Sequence, residues 1–146
     1  MPFRGTSDQK LDVKNRLTIP ARHRKELEGE LVLAVPLDQK PCLWVWRADA
    51  YDVYSAAVLA ELSPLSEKYF ELERLLNSYA SDIELDSAGR VMIPPRHMAY
   101  AKLAKDVVVV GAGRRLELWD PDAWNDHQPA LLHGAGEITR AAGHAG

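Results

Sequence analysis

Residues 7–23, SDQKLDVKNRLTIPARH, return at residues 81–97 as SDIELDSAGRVMIPPRH, with nine of 17 positions identical at a constant offset of 74. A second block follows in the same order at an offset of 73: Leu43–Tyr51 (LWVWRADAY) aligns with Leu116–Trp124 (LELWDPDAW). Two ordered blocks at nearly one offset mark a tandem duplication of a unit of roughly 70 residues. A unit that small buries little by itself, so two of them must close on each other to form one core.

Each unit reads as short strands around one short helix. Leu17-Thr18-Ile19 and Val91-Met92-Ile93 are β-prone. Lys14-Asn15 and Ala88-Gly89, just before them, carry residues that tolerate the left-handed backbone of a tight turn. Pro20 and Pro94 suit the first turn of helices over 21–28 and 95–102. Further strands are predicted at Leu31–Val35, Leu43–Trp46, Val107–Val110 and Leu116–Trp119. Between the halves, Tyr51, Tyr54, Val58, Leu62, Leu65, Tyr69, Leu72, Leu76 and Tyr79 recur at helical spacing. They predict a helical hairpin of 49–61 and 64–79, with Ser63-Pro64 starting its second helix. The organisation expected is a first repeat at 1–48, a helical hairpin insert at 49–80, a second repeat at 81–130 and a mobile tail at 131–146. The tail is small, polar and without periodicity.

Charge excludes several function classes once it is divided along the chain. The whole is −3, which alone argues against nucleic acid. Residues 1–25 hold seven bases (4, 10, 14, 16, 22, 24 and 25) against Asp8 and Asp12, a net of +5, so the remaining 121 residues carry −8. Within that acidic remainder, Arg90, Arg96, Lys102 and Lys105 face only Asp86 over residues 85–105. Two basic islands thus sit in an acidic body. No apolar run approaches the ~20 residues of a membrane span, and the N-terminus does not read as a secretory signal. The single cysteine, Cys42, leaves no disulfide or thiolate cluster within one chain and suits a reducing cytoplasm.

The repeated Asp-x-x-x-Arg, Asp12 to Arg16 and Asp86 to Arg90, straddles each turn. It reads either as an ion pair that ties the hairpin or as an arginine presented to a phosphate or base edge. Lys14 lies inside the first turn, with Arg4, Lys10, Arg22, Arg24 and Lys25 near it in sequence. Phosphate contact needs that density of cations and a structural ion pair does not, so the first repeat is the candidate contact surface. His23 and His97 lack companions at metal-ligand spacing and read as helix-capping or surface histidines. Asp12 and Asp86 each have an arginine four residues on, which holds a carboxyl ionised rather than making an acid–base pair. There is no Gly-rich phosphate loop and no nucleophile elbow, so no catalytic residue, cofactor or metal is expected. Trp46 and Trp119, at one repeat position on strand ends, read as core rather than base-stacking platforms.

The N-terminal Phe3-Arg4-Gly5, the LDVKNRLTIPAR of 11–22, the LWVW of 43–46 and the DSAGRVMIP of 86–94 resemble the MraZ family, over about residues 1–130. The resemblance implies a mainly β fold with α, an AbrB-like swapped-hairpin β-barrel made by two halves of one chain. It also implies a cytoplasmic, nucleoid-associated transcriptional regulator of the bacterial division and cell wall gene cluster. Such a protein forms a ring-shaped homo-oligomer on double-stranded promoter DNA with short direct repeats and represses its own operon. On this resemblance Arg16 is the principal DNA contact with Lys14 beside it. Arg4, Arg22 and Arg24 join them on charge alone, and Asp12, Asp86 and Arg90 are the structural members of the motif. The chain departs from the family pattern in Asn15, where glycine is usual, and in one extra N-terminal residue. The alternative is an AbrB-like scaffold or antitoxin-type protein-interaction module, although the tail lacks an apolar neutralising segment.

Overall fold

The computed structural model describes residues 2–143. Each half runs strand, strand, short helix, strand, strand, helix. The first half comprises β1 (Thr6–Lys10), β2 (Arg16–Thr18), α1 (Ala21–Arg24, continued by a 3-10 turn at Lys25–Leu27), β3 (Leu31–Ala34), β4 (Cys42–Arg47) and α2 (Ala48–Leu59). After α3 (Glu67–Ser78) the second half repeats it as β5 (Ala80–Ile83), β6 (Arg90–Met92), α4 (Pro95–Ala101), β7 (Asp106–Gly111), β8 (Leu116–Trp119) and α5 (Pro121–His133), and α6 (Ala135–Gly143) follows.

The halves are interlocked. Six strands form one sheet in the order β1-β7-β8-β4-β3-β5, so β1 lies on the second half's β7 and β5 lies on the first half's β3. β4 pairs with β8 at the centre, Leu43 opposite Leu118 and Val45 opposite Leu116. β2 and β6 pair as a separate two-stranded ribbon with Leu17 opposite Val91. Since Leu43 matches Leu116 and Leu17 matches Val91 in the repeat, both registers are those of a pseudo-twofold axis.

The core has two layers. Leu17, Ile19, Leu27, Leu43, Val45, Val91, Ile93, Leu116 and Leu118 fill the space between the ribbon and one sheet face. Trp44, Trp46, Tyr51, Leu76 and Trp119 pack on the other face, beneath the longer helices. β3 and the first five residues of β4 are therefore buried on both sides. They read as unbroken apolar runs rather than alternating ones for that reason. Trp46 and Trp119 are core residues, as expected.

Several expectations need correction. The fold is mixed rather than mainly β, and among the described residues more lie in helices than in strands. The sheets do not close into a barrel. A single bridge, Leu11 to Leu17, links the end of β1 to β2, because the Asp12 turn diverts the chain before a ladder can form. The hairpin of α2 and α3 is present, tied by the Tyr51 hydroxyl donating to the Leu76 carbonyl at 2.7 Å. It is not wholly an insert, because α2 occupies in the first half the place of α5 in the second; the match of ADAY to PDAW marks the start of that helix. α3 begins at Glu67 on a Ser66 cap, whose hydroxyl accepts the Tyr69 N–H at 3.1 Å. Ser63 instead accepts the Ser66 N–H in the turn before it. Pro20 and Pro94 stand at the N-cap, one position ahead of the first helical residue. The expected tail is helical as far as it is described, through α5 and α6; residues 144–146 of it lie outside the described residues. Leu131, Ala135, Ile138 and Ala142 fall at helical spacing there, a stripe short and interrupted by glycines that a reading of the tail as small and polar passes over.

Candidate nucleic-acid interface

The two Asp-x-x-x-Arg segments are superposable turns. In the first, Asp12 Oδ1 accepts the N–H groups of Lys14 and Arg16, each at 2.9 Å. In the second, Asp86 Oδ1 accepts those of Ala88 and Arg90, each at 2.9 Å. The arginine Nε returns to the other carboxylate oxygen, at 2.7 Å for Arg16 and 2.9 Å for Arg90. The aspartate builds the turn, and the guanidinium pairs with it along the rim. The carboxyls are held below the ordinary aspartate value, chiefly by the backbone N–H of the motif arginine. Neither is arranged as a proton donor.

The fourth position needs a left-handed backbone, and both residues supply it: φ is 59° at Asn15 and 76° at Gly89. Asparagine is among the few side chains that adopt this region readily, so replacing the usual glycine leaves the turn intact. The turns then brace each other. Asn15 C=O accepts the Ile93 N–H at 2.9 Å, and Gly89 C=O accepts the Ile19 N–H at 2.9 Å. Arg90 Nη1 also lies 3.8 Å from Asp12 Oδ2. The two loops therefore lie side by side.

The five cations named from sequence fall in four places. Arg16 and Lys14 stand on the first loop, Lys14 exposed and Arg16 half-buried. Arg24 belongs to the second loop: its Nε donates to the Ile19 carbonyl at 2.9 Å, and it lies flat across Gly89, where an added Cβ would come within 2.5 Å of that Nε. Arg22 donates to the Ser7 hydroxyl at 2.9 Å. Arg4 sits where its backbone crosses Gly111, so close that a Cβ there would meet the Arg4 nitrogen at 2.3 Å. β1 runs from that end, through Lys10 opposite Asp106, toward the loops. The five residues of the strand thus put about 16 Å of extended chain between the Arg4 end and the first loop.

Two further residues lie near the first loop without the sequence placing them there. Lys105 accepts the Leu11 N–H on its carbonyl at 2.8 Å, which brings a second-half lysine beside the first loop. Val13, at the loop tip, is 99% exposed. Exposure of this kind has no sequence signature, because a valine beside a strand reads as strand.

His23 and His97 are not surface residues; they are 5% and 2% exposed. The His23 ring packs edge-on to Phe3 with centroids 5.4 Å apart, and His97 Nε2 lies 3.2 Å from the Tyr79 carbonyl oxygen. Burial holds both below the ordinary histidine value, aided in each case by the adjacent arginine, Arg22 or Arg96. Cys42 is buried, and burial pushes its thiol up. No described helix is long and apolar enough to cross a membrane.

Comparison with known proteins agrees with this arrangement. A family model described as "MraZ protein, putative antitoxin-like" matches residues 2–70 and again 76–135, once for each half. The proteins called transcriptional regulator MraZ from Pseudomonas putida and Pseudomonas entomophila are each 42% identical to this chain over 127 residues, covering 84% of it and 83% of the relative. The one from Pseudomonas fluorescens is 41% identical over the same length and coverage.

Proposed function

The chain belongs to the MraZ family, whose relatives named above are transcriptional regulators and not enzymes, and from that premise we propose that it is a repressor that binds promoter DNA upstream of its own operon. The operon is the division and cell wall gene cluster, and the protein acts in the cytoplasm on the nucleoid. The target is a set of short direct repeats in double-stranded DNA. The binding form is a ring-shaped homo-oligomer that presents the first loop of every subunit.

One observation carries this reading. The first loop is a hydrogen-bonded turn that carries Lys14 exposed and Arg16 half-buried on its rim, on a chain whose residues 26–146 are net acidic. Arg16 keeps its two terminal guanidinium nitrogens for a base edge or phosphate while its Nε is anchored on Asp12. Lys14 adds a point charge for the backbone. A single subunit at −3 binds DNA weakly. A ring repeats the +5 segment, and direct repeats offer it matching phosphates, so weak contacts combine through effective concentration. Arg4 and Arg22 serve as flanking phosphate contacts at most, and Arg24 acts through the second loop.

The test is titration of purified protein against that promoter at two salt concentrations, with light scattering on the same sample. Tight, salt-sensitive binding by a multimer, abolished when the repeats are scrambled, is the expected result. Equal, weak binding to every DNA overturns the reading and favours a protein partner, as the antitoxin-type alternative requires.

A further inference from the structure

Val13 is an apolar, β-branched residue held in open solvent at the tip of the first loop. The fold does not ask for it. The second loop makes the same turn with Ser87 in that place, and with the same hydrogen bonds. Nor can the side chain fold back onto the sheet. The backbone on its C-terminal side is pinned at Lys14 and Arg16 by Asp12 Oδ1, and at Asn15 by the Asp12 carbonyl and the Ile93 N–H. Whatever Lys14 and Arg16 approach, Val13 approaches with them.

With the first loop taken as the DNA-contacting element, as proposed above, we propose that Val13 is a specificity-determining residue. It packs its methyl groups against the C5-methyl of a thymine in the major groove. Valine offers no donor or acceptor, so it cannot read guanine, adenine or cytosine edges. The thymine methyl is the apolar group that base edges display, and it lies in the major groove. Lys14 and Arg16 supply attraction and polar contacts on one side of the tip, and Val13 adds a preference that charge cannot supply.

The experiment replaces each thymine of the promoter repeats singly by deoxyuridine, which lacks only that methyl. Wild-type protein and Val13→Ser, which copies the second loop, are titrated against each. At one thymine per repeat, the wild type loses about fourfold in affinity for each repeat engaged, the worth of one buried methyl group. Val13→Ser binds both operators equally, with unchanged oligomer mass and thermal midpoint. A wild type indifferent to every replacement overturns the inference, as does a Val13→Ser protein that keeps the discrimination. Either result leaves Arg16-dependent binding standing. A change of oligomer mass in Val13→Ser also overturns it, and assigns the residue to a contact between copies. Failure of the wild type to bind the promoter at all removes the loop reading and this inference together.

Discussion

The loop at residues 12–16 and the loop at 86–90 share a hydrogen-bonded skeleton whose equivalent distances agree to within 0.2 Å, yet their surroundings differ. The first presents Val13 and Lys14 where the second presents Ser87 and Ala88. Arg24 covers Gly89 of the second, while its repeat counterpart, Met98, brings no charge to Asn15. Arg90 pairs with its own Asp86 and reaches Asp12 as well, whereas the ion pair of Arg16 is with Asp12. Duplication fixed the turn once and left its exposed positions free to diverge. On the function proposed above, the two loops brace each other and the first is the one that meets DNA.

The sharpest way to break this division is to exchange the roles of the two arginines. Arg16→Ala is expected to reduce promoter affinity to the non-specific level, about a thousandfold, with oligomer mass retained and the protein still folded. Arg90→Ala removes a guanidinium shared by two partly exposed carboxylates. It is expected to lower stability by about 1 kcal/mol and to weaken assembly more than DNA contact. Gel shifts and light scattering on both variants decide the matter. A stable Arg90→Ala ring that no longer binds DNA would reverse the assignment.

A second pair of variants tests whether the turns differ in what leans on them. Gly89→Asn puts in the second loop the residue that the first already tolerates. There it must displace Arg24 and break the bond to the Ile19 carbonyl. We expect a loss of about 1–2 kcal/mol in urea denaturation, the worth of the hydrogen bond that the displaced Arg24 guanidinium gives up. Asn15→Gly is expected to leave stability nearly unchanged. Equal effects from the two would show that Arg24 does not brace the loop.

Much of this is legible in the sequence because duplication prints structure twice. Asp12, Asn15 and Arg16 can be placed on a turn since Asp86, Gly89 and Arg90 return in the same order, and Gly89 discloses the backbone that Asn15 must adopt. The buried strands are legible as apolar runs, and Trp46 and Trp119 as core by their shared position. Sheet closure is not legible, since it depends on whether β1 and β2 form a ladder or a single bridge. The histidines mislead because each is flanked by arginine in sequence, and only packing shows the ring turned inward. Arg4, Arg22 and Arg24 group together by proximity along the chain, which a rise of about 3.3 Å per strand residue soon undoes.

The buried histidines compare the halves in a different currency. Their folded values are lowered, so the unfolded chain takes up protons first, near pH 6.5. Stability is therefore expected to fall as pH drops below about 6.5, and to level off once the folded-state values are passed. Asp12 and Asp86, also lowered, add a further loss below about pH 4, where the unfolded carboxyls protonate first. Thermal midpoints measured from about pH 7.5 down to about 5 should fall by about half as much in His23→Leu or in His97→Leu. If one variant removes the whole fall, the halves are not equivalent in this respect.

The smallest effect separates the loop from the rest of the basic segment. Arg4 and Lys14 contribute equally to the +5 charge of residues 1–25, so an interface made by charge density alone loses the same affinity from either alanine variant. The fold places them apart, Arg4 against Gly111 and Lys14 at the far end of β1 beyond Lys10. Removing one phosphate-binding cation from the loop lowers the slope of log affinity against log salt by about 1 per subunit engaged. Lys14→Ala is expected to show that change across all DNA sequences, and Arg4→Ala to leave the slope within error of the wild type. Equal slopes for the two variants would mean that the DNA follows the strand as well as the loop. The contact surface would then extend along β1 to the Gly111 end, and the contrast between the two loops would describe only part of it.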